Sequence, residues 1–79
     1  MIAKILKLDK KLFDGEVREV VLPAVDGEMC ILNEHISSVV ILKKGEIRVF
    51  KPNIEYPVVF DVDGGVCSFF ENKAVVIVE

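Results

Sequence analysis

The chain is 79 residues long, a single small domain near the lower size at which apolar burial alone supports a fold, with no room for a second. Its 10 basic and 13 acidic residues are mixed along the sequence for a net charge of −3. No basic stripe exists to follow a phosphate backbone, which argues against nucleic acid as a partner, and two cysteines, Cys30 and Cys67, are too few for the disulfide framework of small secreted domains.

In chain order, the sequence reads as short β-rich runs separated by turn residues at intervals of about ten, the signature of a sandwich or barrel. "IAKILKL" (2–8) comes first and ends in a turn at "DKK". "EVREVVLP" (16–23) follows a break at "FDG" and stops at Pro23. A turn at "DGE" (26–28) leads into "MCIL", and "SSVVIL" (37–42) ends at "KKGE", where Gly45 supplies a turn. "IRVF" (47–50) closes at "KPN", "YPVVFDV" (56–62) at "DGG", and "VCSFF" (66–70) at "ENK"; "AVVIV" (74–78) is last. Valine, isoleucine and phenylalanine dominate these runs, as strands prefer, and no window sustains the i, i+3, i+4, i+7 apolar spacing of a helix. The predicted class is all-β, a two-sheet sandwich of short, mostly antiparallel strands over residues 1–79.

The apolar content is 52%, high for a domain this small, so part of its surface is expected to meet another protein. A second observation agrees. "VVIL", "PVVF" and "VVIV" are apolar on successive residues, so both faces of those strands ask for cover, whereas a two-layer sandwich covers only its inner faces. The N-terminus has lysines scattered through it and no signal-peptide pattern, and no run approaches the roughly 20 apolar residues that span a bilayer. The expectation is a soluble, intracellular protein with free thiols and no cofactor.

Four candidate sites arise from the residues. Glu28, Cys30, Glu34 and His35 crowd one stretch, "GEMCILNEHISS" (27–38). A zinc site needs three or four ligands, usually with Cys or His in close pairs, and one His with two Cys 37 positions apart does not provide them. Cys30 and His35 as a nucleophile–base pair would need hydrogen-bond reach and a third orienting group, so a loop histidine and a small apolar cysteine are the expected roles. "DGGV" (63–66) has neither a helix nor a Lys-Ser/Thr pair to make a phosphate loop, and reads as a hairpin turn with positive φ. A turn lysine at Lys10 has the outline of a lipoyl or biotinyl carrier, but it lies too near the N-terminus for such a hairpin, and a solvated lysine is the simpler reading.

Larger segments carry a resemblance. "LPAVDGEMCILNEHISSVVILKKGEIRV" (22–49) resembles the signature region of the epsilon subunit of F-type ATP synthases, matching at Gly27, Glu28, Ile31, Leu32, His35 and Gly45. "VDGGVCSFFENKAVVIVE" (62–79) resembles that family's closing hairpin, and "LFDGEVREVVLP" (12–23) its second strand. Cys30, Asn33, Glu34 and Ser37 stand where the family usually has glycine, proline, glycine and proline, and Lys44 replaces a further proline. The resemblance implies a non-catalytic central-stalk subunit that couples the gamma subunit to the c-ring during ATP synthesis. Lys7 and Glu28 would lie toward the polar loops of the c-ring, His35 and Val40 toward gamma. It further implies membrane association only through the complex, at the cytoplasmic face of the inner (plasma) membrane. In many members two inhibitory helices follow the sandwich; this sequence stops at Glu79, and the expectation is a subunit without epsilon-type inhibition of hydrolysis.

Overall fold

The computed structural model describes every residue from Met1 to Glu79. Nine strands follow one another: β1 (Ile2–Lys7), β2 (Lys10–Glu16), β3 (Glu19–Ala24), β4 (Gly27–Leu32), β5 (Ser38–Leu42), β6 (Gly45–Phe50), β7 (Val58–Val62), β8 (Gly65–Phe70) and β9 (Lys73–Val78). They form one curled sheet in the order β2-β1-β9-β8-β5-β3-β6-β7, with β4 paired to the other edge of β3. All pairings are antiparallel except β1 with β9.

The link from β5 to β3 is a single residue pair, Ala24 with Leu42. Either side of it the sheet folds into two layers, β2-β1-β9-β8-β5 and β4-β3-β6-β7, which is the expected sandwich. Both layers feed one core of 18 buried residues, among them Ala3, Ile5, Val76, Cys67 and Phe69 from the first layer and Val20, Leu22, Ile31, Ile47 and Val49 from the second. No polar or charged residue is buried, so the core costs no desolvated charge.

Several expectations from the sequence are corrected. "KKLFDGE" is a strand, not a pair of breaks: Lys10–Glu16 pairs along β1, with a register shift between Ile5 and Leu6 that leaves Leu12 unpaired. Lysine, aspartate and glycine are poor strand formers, but an edge strand tolerates them because one side of its backbone stays in water. The chain then crosses from the first layer to the second at Val17–Arg18, where the Val17 N–H donates to the Met1 carbonyl at 2.9 Å. The strand expected over 16–23 therefore lies at 19–24.

Pro23 does not end β3. Its carbonyl accepts the Lys43 N–H at 2.8 Å, and a strand residue's N and C=O point to the same side, so the missing N–H falls where β3 passes from β6 to β5 and no ladder bond is required. Gly45 opens β6 and is not part of a turn; a Cβ there would sit 2.8 Å from the Pro23 Cβ, so glycine is what leaves room for the Pro23 ring. Gly64 and Gly65 do have positive φ, 136° and 151°, but they carry the chain from β7 in one layer to β8 in the other, because β7 pairs only with β6. The hairpin at this end of the sequence is β8–β9, whose two-residue turn places Glu71 and Asn72 at φ 50° and 59°, as a type I′ turn requires.

Candidate functional site

The two outer faces of the sandwich differ in chemistry. In the first layer, register places the outward residues in rungs: Ile41, Val66, Ile77 and Leu6 form one, Val39, Ser68, Val75 and Lys4 the next, and Phe70, Lys73 and Ile2 the last. Apolar side chains dominate, and Val39 (69%), Phe70 (60%) and Ile41 (55%) are largely exposed. This is where the successive apolar residues of "VVIL" and "VVIV" lead. Alternate side chains enter the core, and the others are left uncovered by the chain itself.

The second layer's outer face carries charge. The Arg48 guanidinium donates to Glu28 at 2.7 Å, Arg18 to Glu19 at 3.2 Å, and Arg18 lies 4.9 Å from the centre of the Phe50 ring. Cys30 points outward beside them and its thiol donates to the Glu19 carboxylate at 2.9 Å. Partial burial, then this carboxylate, pushes the thiol's pKa up from 9.0 to about 11, the reverse of what a nucleophile or metal-binding thiolate needs.

The crowded stretch therefore disperses on folding. Glu28 goes to Arg48 and Cys30 to Glu19, whereas the His35 ring packs edge-on against Phe69 with centroids 5.8 Å apart. Its Nδ1 lies 2.9 Å from the Ile36 carbonyl, an acceptor, which assigns the ring proton to that nitrogen. His35 sits in the loop that joins the layers and packs on Phe69 of the first, whereas Cys30 is bonded to Glu19 on the second. No three His, Cys, Asp or Glu residues converge as metal ligands would.

Lys7 and Glu28 end up at one end of the molecule. A continuous rung runs Gly27–Ala24–Leu42–Gly65–Val78–Lys7, so the Val25–Asp26 turn, Lys43–Lys44, Asp63–Gly64 and the Leu8–Asp9 turn all lie at that end. Lys7 borders a cleft of about 450 Å³ between the terminal strands β2 and β7, floored by Leu12, Val59 and Phe60. Glu28 borders another, about 320 Å³, beside Met29, Val39 and Ile41. His35 lies at the opposite end, in the loop Asn33–Ser37.

Val40 is the misplaced expectation. It is 7% exposed and belongs to the core, because the strand's period of two turns Val39 and Ile41 outward and Val40 inward. Any surface role at this position passes to those neighbours. The missed residues have a partial signal in the sequence: Ser68 and Lys73 mark 66, 68, 70 and 73, 75, 77 as the wet sides of β8 and β9. In β5 the same rule misleads, since Ser38 shares parity with the buried Val40 and Leu42 but sits at the strand's entry, bonded to the Ile36 carbonyl at 3.2 Å.

What the fold and this surface define is a small all-β sandwich with one outer face apolar, the other charged, and polar loops gathered at one end. The chain belongs to the family of the ATP synthase delta/epsilon chain β-sandwich domain, which matches it over residues 1–79. Among its relatives are the ATP synthase epsilon chains of Dichelobacter nodosus, 35% identical over 95% of this chain and 52% of the relative, and of Pelagibacter ubique, 40% identical over 78% and 46%. The chain thus spans about half the length of the relatives it matches. A chain in the mitochondrial ATP synthase of Euglena gracilis, solved as OSCP/F1/c-ring, superposes with a TM-score of 0.91 at 19% identity, covering 99% of this chain and 49% of that one. Another, from the central stalk and c-ring of the Tetrahymena thermophila enzyme, gives 0.79 at 17% identity over 99% and 62%; at such identities the likeness is one of fold. The carrier reading of Lys10 finds no support among these relatives.

Proposed function

We propose that this chain is the β-sandwich part of an epsilon subunit in the central stalk of an F-type ATP synthase, non-catalytic and mechanical in action. It docks the gamma subunit with the apolar outer face of β5-β8-β9-β1 and approaches the polar loops of the c-ring with the end that carries Lys7 and Glu28. Rotation driven by ion flow through the ring is then passed to gamma without slip. Its association with the membrane, at the cytoplasmic face, is through the complex.

The observation that carries this reading is the uncovered apolar face. Exposed apolar area of this extent on a small domain marks a protein interface, and kinship with ATP synthase epsilon chains supports gamma as its occupant. Interface energy is concentrated in a few buried anchors, for which Val39, Ile41, Phe70 and Ile77 stand ready. Ion pairs at the polar end, such as Glu28 with Arg48, contribute only about 0–1 kcal/mol each and act on orientation more than on affinity. Purified chain and gamma subunit are expected to co-elute on size exclusion, and Phe70→Glu to weaken the complex at least about tenfold with an unchanged melting temperature. Failure of the unaltered chain to bind gamma would sink the proposal.

A further inference from the structure

The loop Asn33–Ser37 lacks the glycines and prolines its relatives were expected to use, and Glu34 sits in the left-handed region at φ 60°, a conformation unfavourable for a residue with a side chain. It is held there from another part of the chain. Asn72, in the β8–β9 turn, accepts the Glu34 N–H on its Oδ1 at 2.7 Å, and its Nδ2 donates to Asn33 Oδ1 at 2.8 Å. Asn33 Oδ1 also accepts from the Met1 nitrogen at 3.1 Å, and the Ile2 N–H donates to the Asn72 carbonyl at 3.2 Å. One side-chain amide therefore spends both its ends on two consecutive loop residues.

The segments joined by this clamp border the apolar face at the same end. Phe70 is two residues before Asn72, and Ile36, 78% exposed, is two residues after Glu34 and leads directly into β5 and Val39. We propose that Asn72 is a positioning residue for docking: it presets the loop that carries Ile36 in the geometry the partner meets, so that Ile36 extends the apolar face past its last rung. This rests on the reading that the outer face docks gamma. A loop that must be ordered on binding lowers apparent affinity by the fraction of time it is competent. That loss falls on the association rate, since the complex once formed is the same.

The variant Asn72→Gly removes the amide and keeps the turn, because glycine suits the second position of a type I′ turn. With the gamma subunit as the probe, we expect association to slow roughly three- to tenfold while dissociation is unchanged. Asn33→Ala, which leaves the Glu34 bond in place, slows it less, and carries the comparison if the glycine variant melts below the assay temperature. The cost of Ile36→Ala should shrink in the Asn72→Gly background, because the clamp acts through that loop. An unchanged association rate, a loss confined to dissociation, or additive effects of the two substitutions would each overturn the role of Asn72 while leaving gamma docking intact. No binding by the unaltered chain would overturn both.

Discussion

Val39 and Val40 are identical neighbours with opposite surroundings, one 69% and the other 7% exposed. Val39→Asp places a carboxylate in water and should leave the melting temperature unchanged while abolishing gamma binding. Val40→Asp places it in a core that contains no polar partner, at a cost on the order of 3 kcal/mol or more. A domain of this size has only roughly 4–12 kcal/mol in total, at about 0.05–0.15 kcal/mol per residue. Urea denaturation separates the two: equal midpoints would mean that the β5 parity is wrong. Cys30 makes a second residue-scale case. It is exposed, yet partial burial and the Glu19 carboxylate hold its pKa at about 11, so alkylation at pH 8 should be slow for a surface thiol. Glu19→Gln should accelerate it, and an unaltered rate would show that the bond to Glu19 is not formed in solution.

At the scale of elements, the informative contrast is between two glycines. Gly65, at φ 151°, has no space for a Cβ: the atom would overlap the Ile77 carbonyl and lie 2.9 Å from Val78 Cα. Both obstacles are backbone of the paired strand β9, which cannot yield without breaking the β8–β9 ladder. Gly65→Ala is therefore expected to lower the melting temperature severely or prevent folding. Gly15 looks like a turn residue in "FDG", yet it lies within β2, where a Cβ would meet only Phe13 at an ordinary 3.8 Å. Gly15→Ala should be neutral or slightly stabilising through the unfolded chain's lost entropy. If it is as damaging as Gly65→Ala, β2 is not a strand there. That strand was illegible in the sequence because its residues are weak strand formers and its place is given by pairing with β1, a tertiary effect. β8 and β9, rich in valine and phenylalanine and joined by Glu-Asn, were readable to within a residue.

Over the whole molecule, one buried titratable group couples stability to pH. Cys67 lies fully within the core, and burial pushes its pKa up from 9.0 to about 11. The folded state thus holds the thiol proton more tightly than the unfolded chain does. The resulting stabilisation is complete below pH 9 and is lost as pH rises through about 11. Urea midpoints should fall across this window, and the difference between the unaltered chain and Cys67→Ala should narrow over it; a constant difference would refute the coupling. The same packing that shelters Cys67 divides the surface, with apolar residues outside the first layer, ion pairs outside the second, and the strand ends that carry Lys7 and Glu28 together at one end.

By itself the sequence determined the all-β class, the number of layers and the existence of an uncovered apolar face. Strand composition and turn residues are local, and an excess of apolar side chains over what two inner faces can hold is simple counting. It also carried the family resemblance, which depends on residue identity alone. Only the tertiary structure decided which apolar residues face out, because a run such as "VVIL" is apolar in both parities and its phase is set by the neighbours it pairs with. It likewise decided that Glu28, Cys30 and His35 part company, and that the loop carrying His35 is shaped by Asn72, a residue 38 positions away from Glu34 whose amide no local pattern could have linked to it.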